Sequence, residues 1–430
     1  MSSKSSPAHS SSVSSAGSVS GFPEEDLRQG GQDNPGYFPA RLGHPLEQGR
    51  YCIVRKLGWG QYSSVWLAKD EKDNQFVALK ILTCEATTAL SASGAEHKSD
   101  ELRILQKIAI AQPEHRGFKH NLALYDSFEF KGPHGDHQCL VTEVLGCSLD
   151  YMRKLEDDGD WRLNIALTKR VAKQLLCGLE YLHDVCGVVH AGTSFPHIKH
   201  DNVLFRPLDV PGVVAHELVT KPSVSYDCGT EVFPSVVPIV SQGLPLSTTG
   251  SIRADQLEAV IADVGHSHWQ DRHFQELIQP SALRAPEVIL GYPWNASADI
   301  WNLGCLVAEL LIGFWLFEFG ANESKWDAEE DHLARMTEAL GTTFDRSFLA
   351  KCEHRHKFFN ADGSFAHFTA HEEPTWPLDK LLHKFALFDP GSEDLKAAER
   401  FLRRCLRLIP EERAPARELI DDPWLVDVQL

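Results

Sequence analysis

Leu57-Gly58-Trp59-Gly60-Gln61-Tyr62-Ser63-Ser64-Val65 joins two runs of alternating and β-branched apolar residues, 51–57 and 63–68. Each run reads as a β-strand, so the Gly-x-Gly between them belongs to a strand-to-strand turn. Glycine has no Cβ and lets the backbone come close to a bound group, which is how such turns cradle phosphates. A glycine-rich turn that opened a helix would suggest a dinucleotide-binding βαβ unit instead. Alone, a Gly-x-Gly turn is often only a hairpin, so its meaning depends on its surroundings.

A third strand is predicted at 76–82 and contains Val77-Ala78-Leu79-Lys80. A lysine among buried apolar neighbours needs a partner for its charge. Glu101, on a predicted helix over 96–110 with Leu102, Leu105 and Ile108 on one side, is the expected partner. Two more strands are predicted at 122–128 and 138–144. From Gly146 onward the pattern turns helical. Ile165, Val171, Leu175, Leu179 and Leu182 recur at helical spacing within 163–183. The stretch 298–314 is apolar nearly all round and is predicted to be a central buried helix, with further helices at 331–340 and 395–408. The expected fold class is α+β and bilobal: a small β-rich lobe over 37–146 and a larger α-rich lobe over 147–430.

Two stretches stand outside this pattern. Residues 1–36 are Ser-, Gly- and Pro-rich, bury too little apolar surface to offset their ordering entropy, and are predicted to be a disordered tail. Residues 207–253 are rich in Pro, Val, Ser and Thr, lack a helical period and exceed an ordinary loop. They are predicted to be an insertion, partly extended, lying on the second lobe.

The 430 residues suffice for two lobes with real cores. Net charge is 42 − 60 = −18, which disfavours direct nucleic-acid binding and suits basic peptides. Ten cysteines without a Cys-x-x-Cys pair argue against a disulfide framework or zinc ribbon and fit a reducing compartment, cytoplasmic or nuclear. No secretory signal is read at the Ser-rich start. The most apolar stretch, 300–319, contains Asn302 and Glu309 and reads as a buried helix, so no membrane partner is expected. The chain is expected to act as a monomer.

Five further features follow in order. Ile198-Lys199-His200-Asp201-Asn202 precedes the apolar Val203-Leu204-Phe205, and Ile261-Ala262-Asp263-Val264-Gly265 reads as a strand ending in Asp-x-Gly. Arg284-Ala285-Pro286-Glu287, Asp299-Ile300-Trp301-Asn302-Leu303-Gly304 and Pro410-Glu411-Glu412-Arg413 come after. Each alone is a chance-grade match. In this order, over 51–425 and with Lys80 and Glu101, the set resembles the eukaryotic protein kinases. A narrower likeness to the SR-protein kinases is carried by Arg55-Lys56-Leu57-Gly58-Trp59-Gly60, Ser63-Ser64-Val65-Trp66-Leu67-Ala68, Glu143-Val144-Leu145-Gly146 and Glu329-Glu330-Asp331-His332-Leu333.

The resemblance implies ATP and Mg2+ as cofactors and a protein substrate, Ser in Arg/Ser-rich segments. It implies that 57–65 covers the phosphates, with Leu57, Gly58, Trp59, Gly60, Gln61, Tyr62, Ser63, Ser64 and Val65 at the nucleotide alongside Ala78, Glu143 and Leu145. Lys80, held by Glu101, would meet the α/β-phosphates. Lys199 would steady the transferring group, and Asn202 and Asp263 would hold magnesium. Family members often carry a spacer between the lobes, whereas here the hinge runs straight into Ser148-Leu149-Asp150 and the insertion falls at 207–253. Between Gly265 and Leu283 only Ser267 and Ser281 could be phosphorylated, so a phosphate-ordered activation segment is not expected.

One join departs from the family. The pattern His-Arg-Asp-Leu-x-x-x-Asn spans seven steps, but His190 and Asn202 are twelve apart, with His197 where the base Asp should stand. Three readings compete. The chain binds nucleotide without turnover, since a positioned base contributes about 10²–10⁴-fold. Alternatively His197 is the base, its imidazole having a suitable ordinary pKa. Or 191–197 reflects a misplaced splice boundary, and two residues ending in Asp would restore the spacing.

Overall fold

The computed structural model describes residues 24–28, 34–91, 99–156, 161–191, 201–226, 236–249, 252–317, 327–368 and 376–430. The small lobe is an antiparallel sheet in the order β1-β2-β3-β4-β6-β5. Its strands are β1 (Pro45–Leu46), β2 (Tyr51–Gly60), β3 (Ser63–Asp70), β4 (Gln75–Leu82), β5 (Leu124–Lys131) and β6 (Asp136–Thr142). The β2–β3 register continues to Gly60↔Ser63, leaving Gln61 and Tyr62 as a two-residue turn. Side chains alternate across a strand. Trp66, Ala68, Val77, Leu79 and Ile81 therefore join Ile53, Cys139 and Val141 in one core, while Val65, Leu67, Ala78 and Lys80 share the opposite face. Two helices follow β4, α1 (Cys84–Ser91) and α2 (Glu101–Ile110). The predicted five strands are present, with the short β1 added at the edge.

The large lobe begins with α3 (Leu149–Glu156) and α4 (Ile165–Glu180), whose start is capped by Asn164 accepting from Leu167 N. Short strands β7 (Val188–Val189), β8 (Val203–Phe205), β9 (Ala259–Ile261) and β10 (His268–Trp269) pair as β8–β9 and β7–β10, with α5 (Val210–Thr220) between β8 and β9. Then come α6 (Pro286–Leu290), α7 (Ser297–Ile312), α8 (Ala328–Leu340), the single turns α9 (Arg346–Leu349) and α10 (Arg355–Phe358), α11 (Leu378–Phe385), α12 (Glu393–Cys405) and α13 (Ala416–Leu419). As its all-round apolar sequence predicts, α7 is buried almost throughout and forms the centre of the lobe. A Cβ at Gly304 would lie 2.8 Å from the Cys405 Cβ, so the close approach of α7 and α12 requires glycine there.

Two expectations are overturned. The insertion carries a helix, α5, started by Asp209 accepting from Gly212 N with Pro211 in the first turn. It lies largely on the small lobe. Val213, Val214 and Leu244 pack with Leu67, Val144, Val54, Leu57 and Phe76, and Arg55 donates to the carbonyls of Glu217 and Lys221. The apolar Val-rich run that hid a helical period is what buries against the sheet. The predicted tail is also partly ordered. Lys56, buried in β2, pairs with Glu24 and Glu25 and donates to Ile239 O at 3.1 Å, and Leu27 is buried with Tyr37, Tyr226 and Val236. Tail and insertion thus cover one another on β2, which the composition of either alone does not reveal. Residues 1–23 and 29–33 lie outside the described residues.

Arg413 makes a two-pronged pair with Glu287, 2.5 and 2.6 Å, with both side chains fully buried and the guanidinium 5.0 Å from the Trp301 ring. Removing one partner strands a buried charge. Glu287→Ala is expected to cost about 3–5 kcal/mol in urea unfolding. A loss below about 1 kcal/mol would mean that the guanidinium is satisfied without the carboxylate.

Candidate active site

The site lies between the lobes, where β4, α2 and the turn after β9 meet. Lys80 projects from the cleft face of β4, one strand from Val65. Its Nζ is 2.5 Å from Glu101 Oε1 at the start of α2 and 3.2 Å from Asp263 Oδ1. Burial alone would depress this ammonium, but Asp263 and Glu101 outweigh it and hold its pKa above the ordinary lysine range. Burial likewise works against the Asp263 carboxylate, yet Lys80 and His266 bring it down to about 2. Burial pushes Glu101 up, against the pull of Lys80.

Asp263 has φ +63, uncommon for a residue with a Cβ and frequent where strain holds a functional group. Gly265 N lies 3.3 Å from Asp263 Oδ1, and Ser99 Oγ donates to Gly265 O at 2.8 Å. A Cβ at Gly265 would sit 3.2 Å from both Asp263 Oδ1 and Glu101 Oε2, which accounts for glycine after Asp-x. Val264, between Asp263 and Gly265, is buried in the large-lobe core.

Asn202 and Asp263 are brought to the same end of the β8–β9 pair: Val203 faces Ile261, and Ala262 N donates to Asn202 O at 2.9 Å. The loop entry is equally defined. Asp299, fully buried on α7, accepts from His190 N and Ala191 N, each at 2.8 Å, and its Oδ2 is 2.8 Å from His183 Nε2. Burial opposes this carboxylate's charge, but the His183 contact and the Ala191 amide prevail and keep its pKa low. His197 and Lys199 fall in 192–200, outside the described residues.

The nucleotide-lining expectations divide by strand face. Leu57, Val65 and Ala78 share the cleft side with Lys80, and Leu145 packs with Val260 and Ala262 beneath it. Gly58, Trp59, Gly60, Gln61 and Tyr62 form the end of β2 and its exposed turn, and Ser63 follows. The Ser64 side chain turns to the other face and accepts from Trp66 Nε1 at 3.0 Å. Glu143 is committed elsewhere: its carboxylate accepts from Arg206 Nε (2.6 Å) and Nη2 (2.9 Å) and from Ala123 N (2.9 Å), tying the hinge to β8.

Sequence reading missed several of these parts. His183 stands four residues past Leu179, on the apolar stripe of the helix predicted over 163–183 and in the π-helical turn (Tyr181–Cys186) that continues α4, and a polar residue there was the available signal. Gln279, buried at φ +65, donates to Ala298 O at 2.9 Å and accepts from Ala285 N at 2.7 Å, while Arg284 Nη2 donates to its carbonyl at 3.1 Å. Trp269 Nε1 donates to Asp100 Oδ2 at 2.8 Å, and His273 stacks on Trp294 with centroids 3.6 Å apart. Ser267 is buried. The segment after Asp263 is thus ordered by aromatic and amide contacts among protein groups.

The sequence model of the protein kinase domain matches residues 51–213 and 252–425. The serine/threonine-protein kinase SRPK of Physarum polycephalum is 34% identical over 423 residues, 94% of this chain and 91% of that protein. Protein kinase dsk1 of Schizosaccharomyces pombe is 29% identical, covering 91% of this chain and 84% of its own length. SRSF protein kinase 3 of Homo sapiens is 25% identical, with 91% and 88% covered.

The low pKa of Asp263 links the site to stability. A carboxylate at about 2, against an ordinary 3.8, stabilises the fold above the ordinary value and loses that contribution as pH falls through about 2. Asp263→Asn removes the titrating group. The stability gap between wild type and this variant is expected to shrink by about 2 kcal/mol from pH 5 to pH 2, read by chemical denaturation. A gap independent of pH would contradict the ion pair.

Proposed function

The chain belongs to the protein kinase family, among the SR-protein kinase-like serine/threonine kinases, and from that premise we propose that it transfers phosphate from ATP to serine in Arg/Ser-rich proteins. The observation that carries this reading is the Lys80 ammonium held between Glu101 and Asp263. A chain freed from nucleotide chemistry gains nothing from keeping an ammonium and two carboxylates together in a cleft, where their desolvation is costly.

The donor set fits magnesium and ATP. Asn202 and Asp263 offer an amide oxygen and a low-pKa carboxylate at one end of β8–β9, the oxygen donors that magnesium takes. Bound Mg-ATP supplies the phosphoryl group and the cation that neutralises its developing charge. Asn202 and Asp263 would hold the metal, Lys80 the α/β-phosphates, and Glu101 would keep Lys80 in place. The glycine-rich turn would exclude water above the phosphates, and Lys199 would steady the group in transfer. The substrate class rests on the narrower family likeness and on the net charge of −18, which draws Arg-rich segments. Cytoplasm or nucleus is the proposed location. Among the described residues no helix is long and apolar enough to cross a membrane.

A second reading has one observation in its favour: 191–197 contains no Asp to accept the substrate proton. On that reading the chain is a nucleotide- or partner-binding module without turnover. Incubation with radiolabelled ATP, magnesium and an Arg/Ser-rich peptide separates the two. The kinase reading expects label on serine above a Lys80→Met control. No label above that control, with ATP still raising the melting temperature, would leave the binding module.

A further inference from the structure

Tyr37 precedes the sheet by eight residues, yet its hydroxyl reaches the tip of the glycine-rich turn. The Oη is 2.8 Å from Gly60 O and 3.0 Å from Gln61 O. One phenolic proton is shared between two successive carbonyls. Burial pushes the Tyr37 phenol up, so it stays protonated and remains a donor at neutral pH.

The backbone under Tyr37 is anchored independently of the turn. Cys84 N donates to Gly36 O at 3.0 Å and Glu85 N to Pro35 O at 3.1 Å, fixing 35–36 to the start of α1. Asn34 Oδ1 accepts from Gly36 N at 2.9 Å. Gly36 has φ +77, and a Cβ there would lie 3.1 Å from the Cys84 Cβ, so the strap requires glycine to lie this close. The Tyr37 ring meets Trp59 edge-on and packs with Leu27, Tyr226 and Val236 from tail and insertion. Tyr37 is therefore a fixed post to which the turn is tied. The turn has other ties: Thr83 N donates to Tyr62 O at 2.9 Å, and the Tyr62 ring meets His266, three residues past Asp263, edge-on.

A trans peptide points its N–H opposite to its C=O. Fixing the Gly60 and Gln61 carbonyls toward Tyr37 aims the N–H groups of Gln61 and Tyr62 the other way. We propose that Tyr37 is a positioning residue that presents the glycine-rich turn to the nucleotide, with the strap formed by tail and insertion setting its place. This deepens the kinase reading and rests on it. The hydroxyl contributes by preorganisation: without it, the turn must be ordered when nucleotide binds.

The test uses the full chain and a fluorescent N-methylanthraniloyl-ATP with magnesium. Tyr37→Phe keeps the ring and removes the proton donor. It is expected to weaken nucleotide binding by about three- to tenfold, while the melting temperature falls by no more than about 3 °C. Where turnover is measured, KM for ATP should rise with KM for peptide unchanged, a split that a purely structural role would not produce. Hydrogen exchange at Gln61 and Tyr62 in the nucleotide-free chain should speed up. Equal affinity and equal exchange in the two proteins overturn the proposal and leave the kinase reading intact. Absence of nucleotide binding by the wild type overturns both.

Discussion

One ammonium group connects the parts of this molecule that chemistry would need. Lys80 comes from the small-lobe sheet, Glu101 from α2 and Asp263 from the end of the large lobe's β8–β9 pair. Burying these charges is costly, and such groups are not the source of net stability. Their effect is geometric. The pair fixes the rotation of α2 against the sheet and the position of the Asp-x-Gly turn, whose own backbone is strained at Asp263. The rest of the cleft takes its place from these three points.

Below the cleft a second buried carboxylate plays a comparable part. Asp299 gathers His183 and the backbone amides of His190 and Ala191, so the loop toward the site begins from a fixed point. At the far side, Ala262 N holds Asn202 O, and the loop ends from another. Between these fixed ends lies the stretch in which the His190-to-Asn202 spacing exceeds that of the kinase pattern. Arg413 and Glu287 then secure the segment that follows, and Gln279 with the His273–Trp294 stack orders it internally.

Much of this was legible in the residues because period and charge carry it. Alternation marked β2, β3 and β4, the 3.6-residue period marked α4, and the all-apolar α7 announced its burial. A lysine in an apolar strand predicted its carboxylate partner. The tail and the insertion were misread for a common physical reason. Each is apolar or charged only in short runs, and each becomes ordered by covering the other on β2, through Lys56 with Glu24 and Glu25 and through Leu27 with Tyr226. Such mutual burial has no local period to read. Gln279 and Tyr37 were missed similarly, since their partners are distant backbone carbonyls and amides, which every sequence contains.

We propose that Lys80, Glu101 and Asp263 keep the cleft competent for phosphoryl transfer and that 191–197, which contains no Asp, limits its rate. The direct measurement compares phosphate transfer to an Arg/Ser-rich peptide by this chain and by one in which 191–197 is replaced with two residues ending in Asp. The account predicts transfer about 10²–10⁴-fold faster in the rebuilt chain. Equal rates in the two chains would contradict it.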